Sequence, residues 1–467
     1  MSLRSGTLSL QEELCQRSNS ENCESSGKGK CCDPYVHAPI DNFGVAGRWF
    51  RHKLLDGILV GTPVLLTIQE HRRPYLTTFM KALSFLGTED FYTILFLLLS
   101  WIFDARLGRL FGILMGIGFY TTGYLKTLLC LPRPPRPPVV PLEKAFDWAL
   151  PSHHSLLGVI MPWYIWLYTK LHYELSTLEM GVVCTLIVLW SFGVLFSRLY
   201  LGVHSPADIV CGGIVGVLVL SLWMQVDDYV DLYISQQRLE PQIQLILFFL
   251  FLLCLHPVAE PGNPSFCDTC ILFGVVTGIV LGRSQRSRLL GMSGLLETHP
   301  GLDFITFTQF TLSRVVIGGI CMLVTKAITK LVIKAVVINV FNLAGVSTYS
   351  SSVHRKTLPQ HSKHYTRDFI LPPIRSAKAK LDDDDDTAST TSSCQGDVTP
   401  DDRKSSPDDE DPRSWFSWMV ICNTVLGLAS RSKAAWDSDV PIQIVVYTAI
   451  SFASVELIPR LFYAMGI

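Results

Sequence analysis

Long apolar stretches recur along this chain, and they limit its fold more than any other feature of the sequence. Residues 155–171 and 178–196 are two of the clearest, and further runs lie between residues 54 and 345 and over 415–458. Each approaches the roughly 20 apolar residues that one helical crossing of a bilayer needs. Hydrophobic residues make up 49% of the chain and charged residues 17%. The sequence therefore predicts an all-α, polytopic membrane protein, a helical bundle of about eight to ten spans.

Polar composition divides the chain into domains. Residues 1–50 form a tail rich in Ser, Glu, Gly and Cys, and residues 346–413 form an acidic linker rich in Ser and Thr. Segments of this composition bury too little apolar surface to fold, so both are predicted to be disordered. A membrane-embedded domain is expected over 51–345, and residues 414–467 return the chain to the membrane.

Two patterns inside the membrane-embedded domain bear on helix packing. Gly108, Gly112 and Gly116 follow one another at four-residue spacing, which permits two helices to approach closely. The apolar runs at 313–327 and 331–345 are separated by Lys330, and we interpret them as a helical hairpin.

Charge and cysteine content argue against several classes of function. The formal net charge is −1, which gives no support to a nucleic-acid partner. The 13 cysteines are scattered, and Cys267 and Cys270 have neither a second metal-type pair nor a thioredoxin-like context. No metal site and no cofactor are therefore predicted. No signal peptide is expected, because residues 1–45 lack an apolar core, and the sequence leaves a homo-oligomer open.

Three short polar clusters interrupt the apolar pattern between residues 126 and 208. Two predicted crossings separate the second cluster from the third, so the chain returns to the side of the membrane from which it started. All three clusters are therefore expected to share one membrane face. They are Lys126 to Pro134, Pro151 to His154, and Ser197 to Asp208.

The basic residues of these clusters suit a phosphate ester, whose oxygens must be held by cations and N–H donors. Lys126, Arg133 and Arg198 supply the positive charge, and the arginines offer forked donors. Ser152 adds a hydroxyl, and the helix start that follows it offers free backbone N–H groups. A structural role is open for Lys126, because a lysine near a span end also extends to the membrane surface.

Two histidines and an aspartate supply the reactive groups that a phosphate ester needs. His204 fits a nucleophile and His154 a general acid for the leaving oxygen. Asp208 can bond the other imidazole nitrogen of His204 and stabilise the cation formed on attack. Asp208 also fits a helix start, with Ser205 as the cap and Pro206 as the first helical residue. Capping and orienting His204 are compatible roles.

The order and spacing of the clusters resemble a known signature. Lys-x6-Arg-Pro, Pro-Ser-x-His and Ser-Arg-x5-His-x3-Asp are similar to the three motifs of the type 2 phosphatidic acid phosphatase superfamily. The resemblance implies that His204 forms a phosphohistidine, that His154 protonates the leaving alkoxide and that Asp208 supports His204. It further implies that four residues hold the phosphate without a metal, namely Lys126, Arg133, Ser152 and Arg198.

The second motif departs from the signature at His153, which stands where glycine is usual. We count His153 with the phosphate-binding residues. The branch of sphingoid-base phosphate phosphatases often replaces this glycine, and residues 85–92, 131–138 and 256–268 are also similar to that branch. The resemblance covers about residues 50–345. It implies an endoplasmic reticulum membrane enzyme that hydrolyses sphingosine 1-phosphate and dihydrosphingosine 1-phosphate to free base and phosphate.

Two other functions remain open at this point. A broad-specificity lipid phosphate phosphatase, acting on phosphatidate or lysophosphatidate, uses the same residues. A membrane scaffold descended from such an enzyme is the third reading, and His153 is the only departure that favours it.

Loop charge predicts the orientation in the membrane. Alternation of the spans puts Arg106, Arg109 and Lys170 at the face opposite the three clusters, together with further arginines between 283 and 288. Basic loops favour the cytosol, so the clusters are expected to face the lumen.

The loop between the first two clusters carries Glu143, Asp147 and Trp148. We expect these residues at the rim of the site, where they can meet the ammonium of a sphingoid base by charge or by cation–π contact.

Overall fold

The computed structural model describes seven parts of the chain, and within them the fold contains helices and no strand. Most of the predicted tail and all of the predicted acidic linker lie outside the described residues. The described ranges are 38–145, 147–236, 240–257, 264–282, 295, 301–343 and 439–467.

The helices follow one another with short connections up to residue 257, except for the long loop 130–152. A short 3-10 helix, Pro39–Phe43, precedes the first of them, and single π-helical turns continue the fourth and the twelfth. Within the described ranges they are α1 (Gly44–Val60), α2 (Thr62–Glu70), α3 (Pro74–Phe85), α4 (Glu89–Leu98), α5 (Ala105–Leu129), α6 (His153–His172), α7 (Thr177–Tyr200), α8 (Pro206–Ile234), α9 (Glu240–Cys254), α10 (Pro264–Leu281), α11 (Phe304–Leu343), α12 (Asp439–Phe452) and α13 (Ile458–Met465).

Side-chain caps set the points at which α5 to α8 begin. Asp104 accepts hydrogen bonds from two backbone N–H groups at the start of α5, and Ser152 accepts one at the start of α6. Ser176 and Ser205 form reciprocal capping boxes at the starts of α7 and α8. Such caps satisfy N–H groups that have no partner inside the helix. The local sequence thus fixes where these helices begin.

Helix α5 lies at the centre of the largest hydrophobic core, where it packs against α4, α6, α8 and α10. A Cβ atom added to Gly112 would overlap Ile279, and one added to Gly116 would overlap Val276. The prediction that these glycines permit close helix packing is therefore confirmed. The absence of side chains lets α10 approach α5 closely.

Four helices of the described residues are long and apolar enough to cross a membrane. They are α7, α8, the stretch Phe304–Val340 and the stretch Val440–Met465. The pair α3 and α4, together bent by 54° at their junction, adds a fifth if it forms one span. The protein is a multi-pass membrane protein, but the expected eight to ten spans are not confirmed.

The lower number has two visible causes. The runs at 313–327 and 331–345 do not form a hairpin, because the described part of them belongs to one continuous helix, α11, that passes through Lys330. Helices α5 and α6 are long enough to cross, but glycines, tyrosines and the ionisable residues of the clusters lower their mean hydropathy.

Candidate active site

Four helix ends bring the three clusters together. The end of α5 and the end of α7 lie beside the starts of α6 and α8. Two backbone hydrogen bonds join the connecting segments, from Ser152 N to Asp208 O at 3.1 Å and from Leu142 N to Leu201 O at 2.9 Å. The clusters therefore share one end of the bundle, which is the arrangement that one membrane face requires.

Lys126 and Arg133 form one half of a buried cationic site. The Nζ of Lys126 and the Nη2 of Arg133 both contact the carboxylate of Asp147. Arg133 Nη1 also donates to Val203 O at 2.6 Å and lies 3.4 Å from His204 Nε2. Arg133 thus connects the first cluster to the third.

Arg198 forms the other half of the cationic site. Its Nη1 donates to Ser84 Oγ at 2.5 Å and to Glu143 Oε2 at 2.7 Å. Its Nε, although buried, has no hydrogen-bond partner among the described residues. An N–H donor in this position remains available for an oxygen of a bound anion.

The His204 ring lies between Arg133 and Asp208. Its Nδ1 is 3.5 Å from Asp208 Oδ2, and its Nε2 faces the guanidinium of Arg133. A guanidinium can only donate, so this geometry assigns the lone pair to Nε2 and the proton to Nδ1. The ring is thus oriented with its unprotonated nitrogen towards the cations.

Asp208 has the second role that the sequence left open. Its Oδ2 accepts a hydrogen bond from Ser205 N at 2.7 Å, and its own N donates to Ser205 Oγ at 3.2 Å. The residue therefore caps α8 and at the same time faces His204, so the two roles coexist.

Electrostatics keep the His204 imidazole neutral. Burial and the neighbouring cations Arg133, Arg198 and Lys126 hold the pKa of His204 well below its ordinary value. A protonated ring would be poorly solvated and repelled by the three positive charges. Only the neutral form carries the lone pair that a nucleophile needs.

The second cluster forms the first turn of α6. Ser152 Oγ accepts a hydrogen bond from Ser155 N at 3.4 Å. The His153 ring packs edge-on against Phe119, with ring centroids 3.9 Å apart, and it interacts electrostatically with Lys126 and Arg198. The buried Nε2 of His154 has no hydrogen-bond partner among the described residues, and His154 interacts electrostatically with His204.

The loop residues expected at the rim need a correction. Trp148 is only 8% exposed, so it belongs to the interior and does not line an entrance. Asp147 bridges Lys126 and Arg133. Burial alone would raise the pKa of the Asp147 carboxyl, but the two positive charges outweigh this effect and hold the pKa well below its usual range. Glu143 pairs with Arg198. Both carboxylates thus contact the three cations of the site.

Two residues that support the site were missed by the sequence analysis. Arg51 Nε donates to Leu129 O at 3.0 Å and its Nη2 to Cys130 O at 3.2 Å, so it binds the carbonyls at the end of α5. Gln69 forms two hydrogen bonds with the backbone of Val140 in the loop that follows Arg133. For Arg51 the sequence signal was an ionisable residue next to an apolar run, which often has a function. The neutral Gln69 gave no such signal.

No group of three or more His, Cys, Asp or Glu side chains is arranged to hold a metal ion in the described ranges. The donors at the site are mainly cationic, and such a site suits an anion.

Comparison with known proteins agrees with this chemistry. Residues 106–231 match the PAP2 superfamily. Lipid phosphate phosphatase delta of Arabidopsis thaliana is 31% identical, over 69% of this chain and 77% of its own length. Probable sphingosine-1-phosphate phosphatase of Dictyostelium discoideum is 27% identical, over 57% and 70%. Sphingosine-1-phosphate phosphatase 1 of Rattus norvegicus is 30% identical, over 52% and 57%.

The chain belongs to the PAP2 superfamily, in the branch that contains the sphingosine-1-phosphate phosphatases. It is a lipid phosphate phosphatase, a phosphoric monoester hydrolase that acts without a metal. The resemblance found in the three motifs is thereby confirmed. A transmembrane PAP2 type phosphatidylglycerolphosphate phosphatase from Bacillus subtilis is 21% identical over 41% of this chain, with a TM-score of 0.34, which is too low to compare the two folds.

Proposed function

We propose that this protein hydrolyses sphingosine 1-phosphate and dihydrosphingosine 1-phosphate through a phosphohistidine on His204. The observation that carries the proposal is the setting of the His204 ring, with Nε2 3.4 Å from Arg133 Nη1 and Nδ1 3.5 Å from Asp208 Oδ2. A neutral nitrogen directed at phosphate-binding cations, with a carboxylate behind the ring, is suited to attack on phosphorus.

In the first step the lone pair of His204 Nε2 attacks phosphorus, and the bond between phosphorus and the ester oxygen breaks. His154 donates its proton to that oxygen, so the base leaves as an alcohol. A bound phosphate dianion favours the protonated form of His154. Asp208 stabilises the positive charge that the His204 ring acquires.

In the second step a water molecule attacks the phosphohistidine. His154, now neutral, accepts a proton from this water, and the bond between phosphorus and His204 Nε2 breaks. Inorganic phosphate leaves and the His204 ring is neutral again. The cycle therefore consumes one water and returns both histidines to their starting protonation.

The phosphate is held by cations and by the helix start. Lys126, Arg133 and Arg198, together with the capping residue Ser152, are proposed to hold the nonbridging oxygens. Negative charge is greatest on these oxygens in the transition state. Since the ring of His153 packs on Phe119, its contribution is proposed to come from its backbone N–H in the first turn of α6. The other phosphate-binding residues are Lys126, Arg133, Ser152 and Arg198.

Two candidate substrate classes have support. Relatives named sphingosine-1-phosphate phosphatase favour sphingoid-base phosphates. The relative named lipid phosphate phosphatase delta favours a broader specificity that includes phosphatidate, and this is the second candidate. Both classes use the same phosphate chemistry, so selectivity must come from residues that contact the rest of the lipid.

The orientation is also proposed from the charges of α5. Arg106 and Arg109 begin this helix and Lys126 lies near its end, about 30 Å away at 1.5 Å per residue. The two arginines at the end opposite the site are paired with Asp228 and Asp231. Because orientation follows the positions of Lys and Arg and not the net charge, they support a cytosolic position for that end and a lumenal active site, in the endoplasmic reticulum membrane. We further propose that α5 and α6 cross the bilayer inside the bundle, so that the protein has more spans than hydropathy alone detects.

Cysteine accessibility tests the orientation. Val140 is exposed in the loop before the second cluster, and Glu174 is exposed in the connection between α6 and α7. In a cysteine-free background, Val140→Cys should react with an impermeant thiol reagent only after microsomes are permeabilised, and Glu174→Cys should react in intact microsomes. The reverse pattern would place the site in the cytosol.

A substrate panel tests the proposed function. Purified protein in EDTA should release phosphate from sphingosine 1-phosphate and dihydrosphingosine 1-phosphate much faster than from phosphatidate. His204→Ala, purified to the same level, should release none and serves as the control. Equal rates on the three lipids would reject the sphingoid assignment and favour the broad-specificity enzyme.

A further inference from the structure

Two loop carboxylates occupy the cations that a substrate phosphate needs. Asp147 contacts Lys126 and Arg133, and Glu143 Oε2 lies 2.7 Å from Arg198 Nη1. The side chains of the three cations are between 2% and 7% exposed, whereas Asp147 and Glu143 are 27% and 37% exposed. The carboxylates therefore lie on the open side of the cations, where a lipid phosphate has to arrive.

A phosphate monoester dianion and both carboxylates cannot share these cations favourably. Three cations and two carboxylates carry a net charge of +1, and a dianion would make the cluster −1 with three anionic groups in close range. Like charges at such distances repel strongly when they are shielded from water. Phosphate binding therefore requires at least one carboxylate to leave its cation.

Asp147 is suited to leave because its backbone is held independently of its carboxylate. Arg133 Nε donates to the backbone oxygen of Asp147 at 3.0 Å, and Ala149 N donates to Leu131 O at 3.0 Å. The side chain of Asp147 can therefore rotate away from Lys126 while the loop keeps its attachment.

A displaced carboxylate is stabilised if another cation replaces the one it has lost. Sphingosine 1-phosphate carries an ammonium on the carbon next to the one that bears the phosphate, so the incoming substrate brings such a cation to the same place. Phosphatidate has no ammonium and leaves the displaced carboxylate unpaired. The exchange therefore favours a sphingoid-base phosphate over phosphatidate.

We propose that Asp147 is an exchangeable counter-ion and thereby a specificity-determining residue. In the empty site it neutralises Lys126 and Arg133, and in the complex it pairs with the ammonium of the sphingoid base. This inference rests on the proposed function, because it uses the same phosphate site and the same substrate class.

Asp147→Asn tests the exchange with two measurements. The first is the Ki of inorganic phosphate, measured by release of diacylglycerol from phosphatidate. We expect this Ki to fall about tenfold, which corresponds to about 1.4 kcal/mol, because phosphate no longer competes with a carboxylate. The second is the ratio of kcat/KM for sphingosine 1-phosphate to that for phosphatidate, which should also fall about tenfold.

Two control variants separate charge from structure. Asp147→Glu keeps the negative charge, and Glu174→Gln removes a carboxylate that is exposed between α6 and α7. Glu174→Gln should leave the Ki and the ratio within about threefold of those of the unmodified protein. Asp147→Glu should bring both quantities back from the Asp147→Asn values towards those of the unmodified protein. If Asp147→Asn does not fold, Glu143→Gln provides the same Ki test at Arg198.

A Ki that stays the same or rises in Asp147→Asn would overturn the inference. An equal decrease of activity on both lipids with an unchanged Ki would make Asp147 a positioning residue for Lys126 and Arg133 and would also overturn the inference. Equal rates of the unmodified protein on both lipids would reject the proposed function instead, while the phosphate Ki would still decide whether Asp147 competes with phosphate.

Discussion

The two roles of Asp208 can be separated by a single substitution. Asp208→Asn removes the negative charge that faces His204 Nδ1 at 3.5 Å. It keeps a side-chain carbonyl oxygen that can accept the hydrogen bond from Ser205 N, so the cap of α8 is retained. We therefore expect a large loss of rate with little loss of stability.

The size of the loss follows from the distance. Two unit charges 3.5 Å apart interact by about 5 kcal/mol at an effective dielectric constant of about 20. Each 1.4 kcal/mol or so changes a rate about tenfold, so the full interaction corresponds to more than three orders of magnitude. Because the His204 ring is only partly charged in the transition state, we expect kcat to fall by about 10²- to 10³-fold.

The assay compares kcat and the melting temperature in detergent for Asp208→Asn and for a matched control. The control is Glu179→Gln, because Glu179 forms the same reciprocal capping box with Ser176 at the start of α7 and carries no proposed role in catalysis. Both variants should lose less than about 1 kcal/mol of stability, and only Asp208→Asn should lose rate. A kcat within tenfold of the unmodified enzyme, together with a lower melting temperature, would show that Asp208 only caps the helix.

Two further predictions concern packing and pH. Gly212→Ala would place a Cβ atom 2.6 Å from Ser152 O, whereas Gly213→Ala meets nothing within 4 Å. Gly212→Ala should therefore destabilise the protein by about 1–3 kcal/mol, which lowers the melting temperature, and it should also lower kcat. Gly213→Ala should change neither quantity. Equal effects of the two variants would refute the close contact between α8 and α6. Because the pKa of His204 is lowered, the ring stays neutral as the pH falls through the ordinary histidine range, so the acid limb of kcat/KM should lie below about pH 6.5. An acid limb at or above that value would contradict a neutral, buried His204.

Local patterns in the sequence were sufficient to predict several parts of the site. The spacing of Ser205, Pro206 and Asp208 indicates a helix start, and the structure has that capping box. Gly112 and Gly116 of α5 lie where α10 packs closely, as their spacing predicts. Both predictions depend on residues within a few positions of one another, and such short-range patterns determine caps and helix contacts.

Contacts between distant residues could not be predicted in the same way. Glu143 is 55 residues from Arg198 in sequence and Arg51 is 78 from Leu129, and no local pattern indicates either contact. An acidic residue in a polar loop is usually solvated, so the sequence placed Asp147 at the rim and not on the cations. The contacts of Glu143, Asp147 and Arg51 depend on how the helix ends are brought together.

The expected eight to ten spans are not confirmed, because an apolar run does not by itself show where a span begins and ends. The charge of Lys330 suggests the end of a span, but neither Gly nor Pro lies beside it, and α11 continues through it. Helices α5 and α6 lose hydropathy because they carry glycines for packing and the residues of the site. A helix inside a bundle can be polar where it faces other helices and still cross the membrane.

The most direct test of the phosphohistidine proposal is to trap the phosphoenzyme. Unmodified protein, His154→Ala and His204→Ala would be mixed with sphingosine 1-phosphate labelled in its phosphate, quenched in alkali, which preserves phosphohistidine, and examined for label on the protein. We predict label on the unmodified protein and on His154→Ala, in which phosphate transfer is slowed but the nucleophile is retained, and none on His204→Ala at equal protein level. Label on His204→Ala, or full turnover by that variant, would contradict the proposed mechanism.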